Sequence, residues 1–344
     1  MMRKLHYCIF LFFLTLPLIA RTVNGNPHPE KTVLFIWWNV ENLFDTDNDP
    51  RTEDDDFTPS GRLHWTEKRL TLKQMRIRHL LSAVEAHPDY RKYPDVLAFA
   101  EVENRTLFQE TLSGIKGGGY KTIYFESADP RGIDVGLAYN PRSITPGSSK
   151  AYNVPLEQQK PTRKIIVAGL AAAGHPFHVI LNHWPSRSFD VSWTEPKRIA
   201  AARVARHILD SLLLRDPAAD IILMGDFNDE PDSPSLKKVL GSTFDRKKVE
   251  KNFRSMLFNC WSGYEGVGSY LYRNRWQQID QILLSRGMLD NRGLFTPDDA
   301  FRCFTFTRLL DYPGKKPYST YEKRVYKGGY SDHLPLLLKV RVTQ

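Results

Sequence analysis

Apolar residues in this chain gather into short runs, and several of these runs end in acids and amides. Ile221-Ile222-Leu223-Met224 closes with Gly225-Asp226-Phe227-Asn228-Asp229, as expected of a buried strand that delivers polar groups at its end. Thr32 to Trp38 is a second β-rich run, followed by Asn39-Val40-Glu41-Asn42. Asp95 to Ala100 is a third, followed by Glu101-Val102-Glu103-Asn104, where a helix is expected to begin. Further strands are predicted over Tyr120 to Glu126, Ile133 to Tyr139, Lys164 to Leu170, and Phe177 to Leu181, the last entering Asn182-His183-Trp184-Pro185-Ser186-Arg187. Gln278 to Leu284 and Pro335 to Val342 complete the set, the second preceded by Ser331-Asp332-His333. Helical spacing runs from a Thr66 cap to about Ala86, with Leu70, Leu80, Leu81 and Val84 on one side and Lys68, Arg69, Lys73, Arg76 and Arg78 elsewhere. Pro196 to Leu214 is a second long helix and Ser235 to Leu240 a short one.

Composition adds little to the fold but bounds the class. With 41% apolar and 25% charged residues, the 344-residue chain is globular, which excludes a disordered or fibrous protein. Arg3 and Lys4 precede an apolar run from Tyr7 to Ala20, with cleavage points at Ala20 and Gly25, so residues 1–25 read as a signal peptide and 26–344 as one domain. That run is short for a bilayer and no comparable one follows, so a protein secreted or periplasmic, without a transmembrane segment, is expected. Cys8 lies too early to carry a lipid at the cleavage site. Processing would remove Arg3, Lys4 and Arg21 and lower the formal charge from +9 to +6, leaving a basic surface suited to polyanions. Cys260 and Cys303 would be the remaining cysteines, and an oxidising compartment permits a disulfide between them.

Asp226 and Asn228 stand two positions apart, so an extended backbone would send both side chains to one face. A carboxylate suits a hard cation, and a neutral amide can donate to an anionic oxygen; an Asx-rich turn would use the same residues for local reasons. The tract Asp45 to Asp56 lacks the glycine and the closing glutamate of a calcium loop and reads as a solvated surface loop. Tyr270, Tyr272, Arg273, Arg275 and Trp276 would suit stacking on bases, but an aromatic strand packed into the core is the preferred reading.

Asn39 with Glu41, Glu101, Asn182-His183, Gly225-Asp226-Phe227-Asn228, Ile279-Asp280 and Ser331-Asp332-His333, in that order, resemble the endonuclease/exonuclease/phosphatase superfamily of deoxyribonuclease I-like fold. The resemblance implies an α+β, four-layer α/β/β/α sandwich of two mixed sheets, and hydrolysis of phosphate esters with Mg²⁺ or Mn²⁺. By position, Glu101 resembles the principal metal carboxylate, with Asn39, Glu41 and Asp332 around the metal. Asp226 and Asn228 resemble the pair that orients water and contacts phosphate. His333 resembles the catalytic histidine and Asp280 the acid that fixes its tautomer. His183 resembles the second histidine of the nuclease and phospholipase-like branches, where abasic-site endonucleases place a tyrosine, and Asp134 is its candidate brace. Arg187 and Asn182 are candidate phosphate contacts. Which histidine is acid and which base stays open.

The expected activity is a secreted phosphodiesterase, foremost a nuclease on DNA or RNA acting as a monomer. Lipid or small-molecule phosphoesters, and a non-catalytic binding module on the same scaffold, are the alternatives.

Overall fold

Two seven-stranded sheets carry the strand ends that the sequence marks. The computed structural model describes residues 31–156, 161–187 and 191–343, so the expected signal peptide lies outside the described residues. In chain order come β1 (Thr32–Leu43), α1 (Glu67–Ala86), β2 (Val96–Val102), α2 (Arg105–Ser113), β3 (Lys121–Tyr124), β4 (Asp134–Tyr139), β5 (Ile144–Tyr152), β6 (Ile165–Ala172) and β7 (His175–His183). Next are α3 (Val191–Arg215), β8 (Ile221–Asp226), β9 (Ser242–Thr243), α4 (Arg246–Lys251), β10 (Leu257–Asn259), β11 (Tyr270–Tyr272) and β12 (Arg275–Gln277). The chain closes with β13 (Asp280–Leu284), β14 (Leu294–Phe295), β15 (Phe301–Cys303), β16 (Tyr321–Glu322), β17 (Val325–Tyr326) and β18 (Leu336–Val342).

The first sheet has the order β14-β18-β1-β2-β4-β3, with β15 also on β18; the second has β5-β6-β7-β8-β13-β10-β9. The first sheet has one parallel pair, β1 with β2, and the second has two, β7 with β8 and the short β9 with β10; the crossovers of β1–β2 and β7–β8 hold α1 and α3. Both pairs therefore point their carboxyl ends the same way as the crossover helix requires, and both end in site residues. Side-chain alternation builds the layers. Ile222, Met224, Ile282 and Leu284 join the core shared with the first sheet, while Ile221, Leu223 and Leu283 pack with Ala201, Ala205 and Leu209 of α3. The result is the expected α+β sandwich.

Several local expectations change. Lys73 is buried together with Leu70, Ile77, Leu80, Leu81 and Val84, on the packed side of α1 rather than away from it. Thr66 stands at the N-cap without a side-chain capping bond, whereas Asn104 caps α2 by accepting from Leu107 N at 2.8 Å. Helix α3 starts at Val191, so Pro196 lies inside it and forfeits a backbone donor instead of opening the helix. Strand β5 is largely exposed and lacks an apolar run, which left it without a signal. The acidic tract is only partly solvated: Asp54 is buried and accepts from Asp49 N at 3.0 Å.

The aromatic segment is not a core strand. β11 and β12 form a separate two-stranded hairpin, turned by Arg273 and Asn274 at positive φ of 48° and 62°. Cys260 and Cys303 are buried and unbonded, and burial pushes both thiols up. Both should react with a thiol reagent in denaturant without reductant, and neither should react promptly in the native protein. Loss of both signals in denaturant would show a disulfide instead.

Candidate active site

Strand register assembles the centre. On adjacent strands β7, β8 and β13, His183 pairs with Asp226 and Asp226 with Asp280, which makes one row across the second sheet. Asn39 near the end of β1, Glu101 in β2, and Asp332 and His333 before β18 approach from the first sheet. All of these except Asp280 line a cavity of about 660 Å³ that also receives Arg131, Arg187, Asn228, Tyr270, Tyr272 and Arg273.

A histidine–carboxylate pair organises one side. His333 Nδ1 lies 2.7 Å from Asp280 Oδ2, and both residues are buried. Asp280 also accepts from Trp37 Nε1 at 2.8 Å and Ser269 Oγ at 2.6 Å, so its charge is fully engaged. With Nδ1 committed, the nitrogen left for chemistry is Nε2, 3.9 Å from Asp226 Oδ2. Burial opposes a charge on His333, but Asp280, Asp332 and Asp226 outweigh it and hold its pKa well above the ordinary imidazole value. His183 goes the other way: burial, then the Arg163 and Arg131 guanidiniums, push it well below. Its Nε2 lies 3.8 Å from both Glu101 Oε1 and Asp226 Oδ2.

Asp226 is the meeting point. Asn39 Nδ2 donates to its Oδ2 at 3.1 Å and Asn228 N to its Oδ1 at 2.9 Å. Burial, with Asp280 beside it, pushes the carboxyl up to about 7. Glu101 accepts from Asn42 N at 2.9 Å through Oε2 and from Asn39 Nδ2 at 3.3 Å through Oε1. Its backbone is left-handed, φ 63°, as are Glu41 at 54°, Asn42 at 57° and Asn228 at 51°. Such conformations cost about 1–3 kcal/mol each for a side-chain-bearing residue, and they concentrate where function fixes them.

The oxygens of Glu101 and Asp332 share the cavity with Asp226, so the donor set is hard and anionic, which fits a divalent ion such as Mg²⁺ or Mn²⁺. Asp226, Asp280 and His333 also place ligand atoms within 4.8 Å of one another. There, however, Asp280 and His333 Nδ1 are spent on each other.

Four sequence assignments need correction. Glu41 does not line the cavity: its oxygens accept from Thr320 N at 2.6 Å and Tyr321 N at 2.9 Å, and burial with Asp332 nearby lifts it to about 7. Asn39 turns its oxygen to Glu41 N, 3.0 Å away, and presents its amide hydrogens to the carboxylates, so it orients rather than ligates. Asn182 is buried on the opposite face from His183, accepting from Trp184 Nε1 at 3.0 Å; strand alternation lets only one of the two reach the site. Gly225 makes room there, since a Cβ would stand 2.4 Å from Asn182 O. Asp134 accepts from Ser127 N at 2.9 Å and does not brace His183, whose Nδ1 has no hydrogen-bond partner among the described residues. Arg187 does line the cavity and donates to Gln277 Oε1. Asn228 lines it too, its amide donating to Trp184 O at 3.0 Å.

Sequence reasoning missed Arg131, Arg163, Trp37 and Ser269. Arg163 is buried, donating to Asp129 Oδ2 and Trp184 O, both at 2.8 Å, and so holds the chain after His183. None of these carries a local motif; Trp37 reaches Asp280, 243 positions on, and Arg163 reaches Asp129 and Trp184.

Two mixed sheets and a strand-end cluster of carboxylates, amides and two histidines define a phosphoesterase of the deoxyribonuclease I-like class. The chain belongs to the Endonuclease/Exonuclease/phosphatase family, whose family model matches residues 34–342. Its fold is similar to the human Nocturnin catalytic domain with bound sulfate anion (TM-score 0.55, 18% identity, 91% of this chain and 95% of that one). It is also similar to D. rerio TDP2 complexed with single strand DNA product (0.56, 15%, 90% and 99%). A third similar structure is the endonuclease/exonuclease/phosphatase from Bacteroides vulgatus (0.54, 14%, 91% and 100%). At these identities the likeness is one of fold. No curated protein matches the sequence.

If Glu101 is the main ligand of a divalent ion, Glu101→Gln should weaken Mn²⁺ binding in calorimetry by at least about tenfold with the fold intact. Unchanged affinity would remove Glu101 from the metal set.

Proposed function

We propose that this protein is a Mg²⁺- or Mn²⁺-dependent phosphodiesterase that cleaves DNA or RNA outside the cytoplasm, exported by residues 1–25. The observation that carries this reading is the composition of one cavity. Glu101, Asp226, Asp332 and His333 share it with the cations Arg131, Arg187 and Arg273 and the rings of Tyr270 and Tyr272. Phosphates would be held by guanidinium forks and bases would rest on aromatic faces. Tyr270 packs on His333 with ring centroids 4.7 Å apart, while Tyr272 is 47% exposed and carries the Arg273 guanidinium 5.2 Å from its ring centroid, so Tyr272 with Arg273 is the exposed platform. No helix among the described residues is long and apolar enough to cross a membrane.

Glu101 and Asp332 would hold the ion, which would draw charge from a nonbridging phosphate oxygen. Asp226, steadied by Asn39 and Asn228, takes the proton of the attacking water. His333, oriented by Asp280, donates Nε2–H to the phosphate. Asp226 Oδ2 and His333 Nε2 are 3.9 Å apart, close enough to address one phosphate together. The leaving oxygen takes its proton from water.

The test is a parallel assay with Mn²⁺ on plasmid DNA, single-stranded RNA, sphingomyelin, phosphoinositides and an aryl phosphate diester. Nucleic-acid cleavage should dominate, fall steeply with added salt as released counterions oppose binding, and vanish in Asp226→Ala and His333→Ala. Lipid or monoester turnover at an equal or higher rate, lost in the same variants, would overturn the nuclease reading. Asp280→Asn should lower kcat about 10²–10³-fold with little change in KM, because it leaves His333 in place but without its orienting charge. A loss confined to KM would show that Asp280 serves binding alone.

A further inference from the structure

We infer that Lys73 is a positioning residue: from beneath the first sheet it ties down both ends of the segment that leads into Asp332 and His333, and so sets where these two side chains stand. The inference rests on the reading of Asp332 and His333 as site residues given above. Lys73 is 1% exposed, on the packed side of α1. Its ammonium donates to Thr320 Oγ1 at 2.5 Å and to Tyr330 O at 2.7 Å. Between those residues lies the β16–β17 hairpin, closed by Lys327 N donating to Thr320 O at 2.8 Å. Lys73 thus grips the hairpin at its entry and its exit.

From there the bonds run directly into the site. Thr320 N and Tyr321 N donate to Glu41, at the end of β1. Next to Tyr330, Ser331 Oγ donates to Asn39 O at 2.7 Å and accepts from His333 N at 3.0 Å. Lys73, Thr320, Glu41, Asn39 and Ser331 therefore close a ring of contacts around the base of the site, with the lysine as its buried charge. A buried ammonium is costly unless its hydrogens are used and opposite charge is near. Burial lowers the Lys73 pKa to about 8, and the charges of Glu41, Asp332 and Glu101 act against that. Other α1 residues touch the same segment, Arg76 Nε at Gly328 O and His79 Nδ1 at the Tyr330 hydroxyl, but neither joins the two ends.

Lys73→Met removes the charge and both bonds; Thr320→Val removes one acceptor, keeps the charge, and covers the case in which Lys73→Met does not fold. Amide exchange read by mass spectrometry should accelerate about tenfold at residues 330–333 in either variant while β6 and β7 stay as protected as in the wild type. Calorimetry should show Mn²⁺ binding weakened at least about threefold in Thr320→Val, and kcat on whichever phosphoester the wild type turns over should fall about tenfold, since small displacements at a site are costly. Lys73→Arg should restore part of the loss. Wild-type exchange at 330–333 in both variants would overturn the proposal, as would a slowdown that follows only a global loss of stability. Tighter Mn²⁺ binding in Lys73→Met, with unchanged exchange, would mean that the lysine acts through charge alone and not by positioning. If the wild type turns over no phosphoester, the functional reading fails, whereas exchange and Mn²⁺ binding still decide the role of Lys73.

Discussion

A charged group sits where two hydrophobic sheets meet, and the arrangement around it constrains the rest. The Asp280 carboxylate is completely buried and receives Trp37 Nε1 from the opposite sheet, Ser269 Oγ from its own strand's approach, and His333 Nδ1 from the turn before β18. An unpaired carboxylate there would cost several kcal/mol, so the packed state is favourable only when all three donors arrive together. The sheets consequently cannot slide relative to each other without exposing that cost. One set of bonds fixes the sandwich, the tautomer of His333 and the position of Asp226 beside it.

The strand ends around this point depart from regular extended geometry in a consistent way. Glu41, Asn42, Glu101 and Asn228 all have positive φ, and the register of β1 with β2 shifts between Asn39 and Leu43. Regular strands would alternate these side chains to opposite faces; the left-handed residues re-aim them instead. Glu101 can then face the cavity while Asn42 N closes on its carboxylate, and Glu41 turns away to bind Thr320 and Tyr321. The strain is carried by the apolar strands behind, which are buried along nearly their whole length.

Charge is distributed unevenly about the site. Besides the cavity that holds Arg131, Arg187 and Arg273 with Glu101, Asp226 and Asp332, there is a second of about 550 Å³, where Asp45, Asp49, Glu103, Glu126, Asp129 and Asp134 meet Arg51. Burial raises Glu103 to about 8 and Asp134 to about 7.

Much of the framework was legible in the sequence because it depends on local order. Apolar runs that end in polar clusters mark strands whatever surrounds them, and the succession from Asn39 through Glu101, Asp226 and Asp280 to His333 marks the family and the residues that meet. Asp280 as the partner of His333 was implied by the family resemblance, and the two stand 2.7 Å apart. The sequence did not decide which member of an adjacent polar pair faces the site: Asn182 and His183 differ by one step of a strand, and the packing of the two sheets decides it, with Gly225 leaving room beside Asn182. Glu41 reads as a ligand until Thr320, 279 positions away, claims its carboxylate. Lys73 was read on the wrong side of its helix, because a lysine is ordinarily solvated and only partners at Thr320 and Tyr330 make its burial between Leu70 and Ile77 tolerable. Local pattern fixes which residues lie on an element and at its end; which hydrogen bonds they make is settled by groups hundreds of positions apart, brought together only when the two sheets close.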